Sequence, residues 1–149
     1  MLHSDVSLPP DFVQWLEKLP ESHVVRFRQN EWQFWTLEEL QEPTRVNQVT
    51  TTQISAMTSF VAKYRSLGLA AAKGAGGKPF SYDQLDRCLV LATDNEHSLI
   101  VDPVESFSVW SFCPDYTKNG EVKPVAANLS VFMEEATIED LKDDSDYEE

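Results

Sequence analysis

Residues 87–101, RCLVLATDNEHSLIV, hold two apolar runs separated by a polar break. Arg87 to Ala92 and Ser98 to Val101 are rich in residues that favour strands, and Thr93-Asp94-Asn95-Glu96-His97 between them is dense in turn formers. The pattern predicts a strand, a turn and a returning strand. Phe107 to Phe112 extends the series with β-branched and aromatic residues. Lys118-Asn119-Gly120-Glu121 then carries the Asn-Gly pair that tight hairpins prefer. This half of the chain therefore reads as an antiparallel meander.

Moving outward toward the N-terminus, Ala70 to Tyr82 is small and Gly-rich and reads as a mobile loop. Before it, Thr50 to Leu67 predicts a helix, with Ile54, Met57, Phe60, Val61, Tyr64 and Leu67 on one stripe and Gly68 closing it. Thr36 and Glu39 have the spacing of a capping box, so TLEELQE predicts a short helix ending before Pro43. His23 to Arg28 and Glu31 to Thr36 predict a hairpin turned at Gln29-Asn30. In its second arm Trp32 and Phe34 share one face and Trp35 takes the other. One face belongs to the core, and an aromatic on the other can cover the chain or anchor a partner. Pro9 and Pro10 open a first helix carrying Phe12, Trp15, Leu16 and Leu19, and Pro20 stops it. At the far end Asn128 to Ala136 predicts a last helix with Leu129, Phe132 and Met133 on one side. Antiparallel strands between terminal helices indicate α+β: a single domain over residues 1–136, with an antiparallel meander packed against helices at both ends.

The chain has 149 residues, 25 acidic and 12 basic, and a formal net charge of −13. Residues 134–149 alone carry net −8, so 137–149 is expected to be an acidic, disordered tail that serves solubility or a partner. Such a surface disfavours phosphate backbones and anionic lipid, and attracts basic proteins. No stretch nears the ~20 apolar residues that span a bilayer, and MLHSDVSLPPDF lacks the basic and apolar segments of a secretory signal. A cytoplasmic location is expected, with Cys88 and Cys113 as reduced thiols.

Motifs for chemistry are scarce. KGAGGK lacks the Ser or Thr that a phosphate-binding loop places after its lysine. His3, His23 and His97 stand alone, without the paired spacing of metal ligands. Cys88 lies inside an apolar run, and no Cys-His signature surrounds Cys113. The expectation is a protein without catalytic residues, cofactor or metal, whose partner is another protein.

Four segments in order resemble the SUKH superfamily, the Smi/Knr-like regulators and bacterial immunity proteins. LPPDFVQWLEKLP resembles its opening helix, EWQFWTLEELQE its aromatic strand feeding a short helix, CLVLATDNEHSLIVDP its later strand–turn–strand, and VAANLSVFMEEAT its closing helix. The chain departs from that pattern at Asp94-Asn95-Glu96, where a glycine is common, and at LPESH after the first helix. The resemblance implies an immunity protein that neutralises a polymorphic or contact-delivered toxin, such as a nuclease or deaminase, by stoichiometric binding. Its alternative is an intracellular scaffold of the Smi/Knr type. Charge complementarity to a basic toxin directs attention to acids in turns and strand ends: Asp94, Glu96, Asp102, Glu105, Asp115 and Glu121, with Trp35 as an aromatic anchor.

Overall fold

A computed structural model of the chain describes residues 8–28, 30–46, 49–68, 71–74, 79–94, 97–113 and 121–141. Helix α1 (Pro10–Glu17) is followed by strands β1 (His23–Phe27) and β2 (Asn30–Phe34) and helix α2 (Leu37–Leu40). Strands β3 (Pro43–Val46) and β4 (Val49–Thr52) precede a 3₁₀ turn (Gln53–Ser55) and helix α3 (Met57–Ser66). Next come β5 (Ala71–Lys73), β6 (Pro79–Ser81), α4 (Tyr82–Arg87), β7 (Leu89–Asp94), β8 (His97–Asp102) and β9 (Ser108–Cys113). Strand β10 (Glu121–Ala126), helix α5 (Leu129–Glu135) and strand β11 (Thr137–Asp140) complete the order.

The α+β class holds. Among the described residues nine strands form one sheet in the order β11-β1-β2-β7-β8-β9-β10-β5-β6, and β3 and β4 form a separate ribbon. Every pairing is antiparallel except β10 with β5. The meander read from Arg87 onward is the stretch β7-β8-β9-β10, whose strands are neighbours in space as in sequence, while the turn expected at Lys118-Asn119-Gly120 lies outside the described residues.

Helices cover both faces of this sheet. Successive strand residues point to opposite sides, and the two cores divide accordingly. Leu89, Leu91, Leu99, Val101 and Val109 join Phe12 and Leu16 of α1, Leu40 of α2, and Leu129 and Phe132 of α5. Val90, Ile100, Phe112 and Val122 join Met57, Val61 and Tyr64 of α3 and Leu85 of α4. This explains why Leu89 to Ala92 and Leu99 to Val101 are continuously apolar: both sides of each strand are buried. Each such side chain removed from water contributes roughly 1.5–3 kcal/mol. In the first core Phe27 stacks on Phe132 at 4.5 Å between ring centres, and Trp15 meets Phe34 edge-on at 5.2 Å.

Three expectations change. Thr50 to Thr52 belong to a strand, so the helix predicted from Thr50 starts at Met57; three consecutive β-branched threonines favour extended backbone. The segment read as a loop from Ala70 to Tyr82 contains β5 and β6, and α4 begins at Tyr82. Ser81 caps α4 by accepting from the Gln84 amide at 3.1 Å. Finally, the domain does not end at 136. Residues Thr137–Asp140 pair with β1 along the register His23↔Asp140 to Arg26↔Thr137. Ile138 opposite Val25 is the apolar residue within the acidic run, and Arg26 binds the Glu139 carboxylate, neutralising part of the charge that suggested a solvated tail. The rest of the expected tail, 142–149, lies outside the described residues.

Candidate functional site

Where β2 ends, the chain passes through Trp35 and Thr36 into α2. Thr36 accepts a hydrogen bond from the Glu39 amide at 3.1 Å, and the Glu39 carboxylate accepts one from the Thr36 amide at 2.9 Å. This capping box fixes the entry angle of the helix. It also releases Trp35 from strand alternation. Trp32 and Phe34 are buried in the first core as expected, but Trp35 is not on the opposite sheet face. It is half-buried, packs on the edge of that same core, and its amide donates to the Leu91 carbonyl at 3.2 Å.

Trp35 forms a wall of a cleft of about 280 Å³ shared with Glu21, Ser22, His23, Gln33, Phe34, Glu39, Thr93 and Leu141. The cleft continues into a second hollow of about 400 Å³ reaching Leu16, Leu19, Pro20, Thr36, Glu38 and Glu42. Its lining mixes the apolar Leu16, Leu19, Phe34, Trp35 and Leu141 with Glu21, Glu38, Glu39 and Glu42, all four glutamates exposed. No lysine or arginine is among these lining residues. The cleft therefore presents a mixed polar and apolar surface with acidic side chains beside it, a combination that can take the stem and head of a basic side chain.

His23 pins the cleft from below. The Phe34 amide donates to its Nε2 at 3.0 Å, so its Nδ1–H donates to the Pro20 carbonyl at 2.7 Å. One imidazole thus ties the turn after α1 to the end of β2, and both ties lie along the cleft wall.

Among the described residues, the acids singled out from the sequence do not line this cleft. Asp94 ends β7, half-buried opposite His97. Glu121 is exposed at the start of β10, in register with Cys113. Glu105 is exposed in the turn after β8, its Oε1 3.4 Å from Gln84 Nε2. Glu96 and Asp115 lie outside the described residues.

Asp102 is a correction: it is fully buried and not available to a partner. Arg87 donates from Nε to Oδ1 at 2.8 Å and from its terminal nitrogen to Oδ2 at 2.9 Å. Gln84 donates to Oδ2 at 2.8 Å, and the Val104 amide to Oδ1 at 3.1 Å. Burial alone would push this carboxyl up, but the hydrogen bonds from Arg87, Gln84 and Val104 and the guanidinium charge outweigh it and hold it below its ordinary value. The carboxylate thus joins α4 to the turn at residues 103–107.

The remaining reactive groups are quiet. Cys88 is buried, and desolvation pushes its thiol well above the ordinary range. Cys113 is half-buried. Among the described residues no group of three or more His, Cys, Asp or Glu is placed to hold a metal ion, and no helix is long and apolar enough to cross a membrane.

The cleft was reachable from the sequence only in part. Trp35 and the capping box were legible, whereas Glu21 and Leu141 join them through a chain reversal that local pattern does not encode. The chain matches no family model, no curated protein and no solved structure.

Proposed function

We propose that this chain is an immunity protein of the Smi/Knr-like kind, which neutralises a basic toxin in the cytoplasm by stoichiometric binding. The observation that carries the reading is the cleft beside Trp35, where the exposed Glu38 and Glu42 stand beside Trp35, Leu19 and Leu141 with no basic residue among the lining. The net charge of −13 adds a long-range attraction for a basic surface and speeds encounter. The order of elements also supports it: α1, the aromatic β2 feeding α2, the β7–β8 hairpin and α5 follow one another as the resemblance implies.

Binding then works by exclusion. A toxin that acts on nucleic acid needs a basic surface for phosphates, and an acidic partner seated there denies it that surface. Asp102 is consumed by the fold and leaves the expected contact set, and the Trp35 cleft adds a second surface to the meander acids Asp94, Glu105 and Glu121. Co-expression with the product of the adjacent gene tests the reading. The pair should co-purify at equal stoichiometry and growth should be rescued. The association rate should fall steeply with salt as the Debye length shrinks from about 10 Å at 0.1 M to about 3 Å at 1 M. Inactivation by substoichiometric amounts with turnover would overturn it.

A further inference from the structure

The two edges of the large sheet are strand β6 on one side and strand β11 on the other. They are unequal. Strand β6 is three residues long and begins with Pro79, a residue with no N–H to offer. Strand β11 has no proline and no lysine, and its register with β1 runs without a bulge. Of the devices that blunt an edge, β11 keeps shortness and the acids Glu139 and Asp140, but no proline, lysine or bulge.

The free side of β11 follows from one hydrogen bond. The Leu141 amide donates to the Ser22 carbonyl at 3.0 Å. Residues of an antiparallel pair alternate in direction, so Thr137 and Glu139 also turn their main-chain groups toward β1. Ile138, in mid-strand, turns its N–H and C=O away from the sheet. Its side chain is 42% exposed beside buried Val25. Among the described residues no strand lies on that side.

The same edge leads into the cleft, because Leu141, one residue past the strand, lines the cleft wall with Glu21 and Glu39. We propose that the partner adds an extended basic segment as a further strand along β11, delivering a lysine or arginine to the Trp35 cleft at its end. This rests on the basic-partner reading above and supplies its mode: main-chain bonds give the pairing, and the cleft selects the side chain. Charge selects the occupant. The chain as a whole carries net −13, and Arg26 beside the strand is already held by Glu31 and Glu139. A second copy of this chain would bring acid against acid, with net −13 on each side.

The test uses the full chain and a synthetic peptide of alternating lysine and valine. Its twin is methylated on alternate backbone nitrogens, which keeps the charge and removes the donors of one edge. Calorimetry should show the twin binding about tenfold more weakly or worse. Ile138→Pro, which removes an outward N–H that the fold does not use, should weaken the unmodified peptide about as much while the thermal midpoint stays close to that of the parent. Hydrogen exchange at the Ile138 amide should be fast in the free chain and slow with peptide. Equal binding of the two peptides would overturn strand addition and leave the basic-partner reading standing. Binding by neither would also overturn it, and the reading of function would rest on its own co-expression test. An Ile138 amide already protected in the free chain, or a dimer split by Ile138→Pro, would show that the edge has another occupant and would overturn the inference.

Discussion

Asp102 is buried completely and grips Arg87 through both carboxylate oxygens, whereas Glu38 and Glu42 stand in water on the rim of the Trp35 cleft. All three come from the same acidic excess. At Asp102 the charge is matched by a guanidinium, an amide side chain and a backbone N–H, and the product is a fixed turn. The turn is costly in itself: Ser106 and Phe107 both have positive φ, at 57° and 55°, in the place where a glycine is usual. At Glu38 and Glu42 the charge stands exposed to solvent beside the cleft. A count of acids cannot separate these uses; the arrangement of donors around each one does.

The comparison breaks most visibly at Asp102. Asp102→Asn removes the buried charge and leaves Arg87, which is about a third exposed, with weaker partners. A loss of about 2–3 kcal/mol is expected, below the value for a fully buried pair because water reaches the guanidinium. In a chain of this length that lowers the thermal midpoint by roughly 5–10 °C, which calorimetry will read. The effect has a sign in pH. The folded carboxyl titrates below its ordinary value near 3.8, so its stabilisation is complete above that value and is lost as pH falls through the folded one. Urea unfolding should show a constant gap between parent and Asp102→Asn from about pH 7 to about pH 5, narrowing below about pH 4.

Smaller effects sharpen the contrast. Thr36→Ala removes the cap that aims Trp35 and should cost about 1 kcal/mol; partner binding should weaken with it. Ser106→Gly relieves one strained residue of the Asp102 turn and should stabilise by about 0.5–1 kcal/mol in the same unfolding assay. The smallest change in stability is expected where the largest change in binding is. Replacing Glu38 and Glu42 together by Gln should alter stability by no more than about 0.5 kcal/mol, while slowing association with a basic partner and flattening its salt dependence. A large loss of stability from that double change would mean that these acids are structural as Asp102 is.

Much of the architecture was legible because it is local. The α1 stripe, the β1–β2 hairpin, the Thr36 capping box, the apolar runs of β7 and β8 and the Asn128 cap each announce themselves within a few residues. The Ser81–Gln84 pair that starts α4 has the same kind of signature, hidden inside a segment that its glycines made look irregular. What escaped is long-range. Strand β5 joins the sheet through a single parallel register contact, Glu121↔Lys73, and β11 reads as acidic tail until β1 is placed beside it. Asp102 beside Pro103 reads as a surface turn because Arg87, its partner, arrives from a different element. The cleft needs three such arrivals at once.

The pairing of β11 with β1 also sets a timetable. Arg26 and Glu139 are 113 residues apart in sequence, so as the chain leaves the ribosome the first strand waits for nearly the last one. Until then β1 is itself an open edge, flanked on one side by β2 and on the other by nothing the nascent chain yet contains. Contacts of such wide separation close late and slow the final step of folding. An edge exposed in that interval is where stray strands from other nascent chains can attach. The large sheet thus gains this edge only once β11 has emerged, and the acidic residues that arrive with β11 reach their strand at the moment its protection from aggregation is needed.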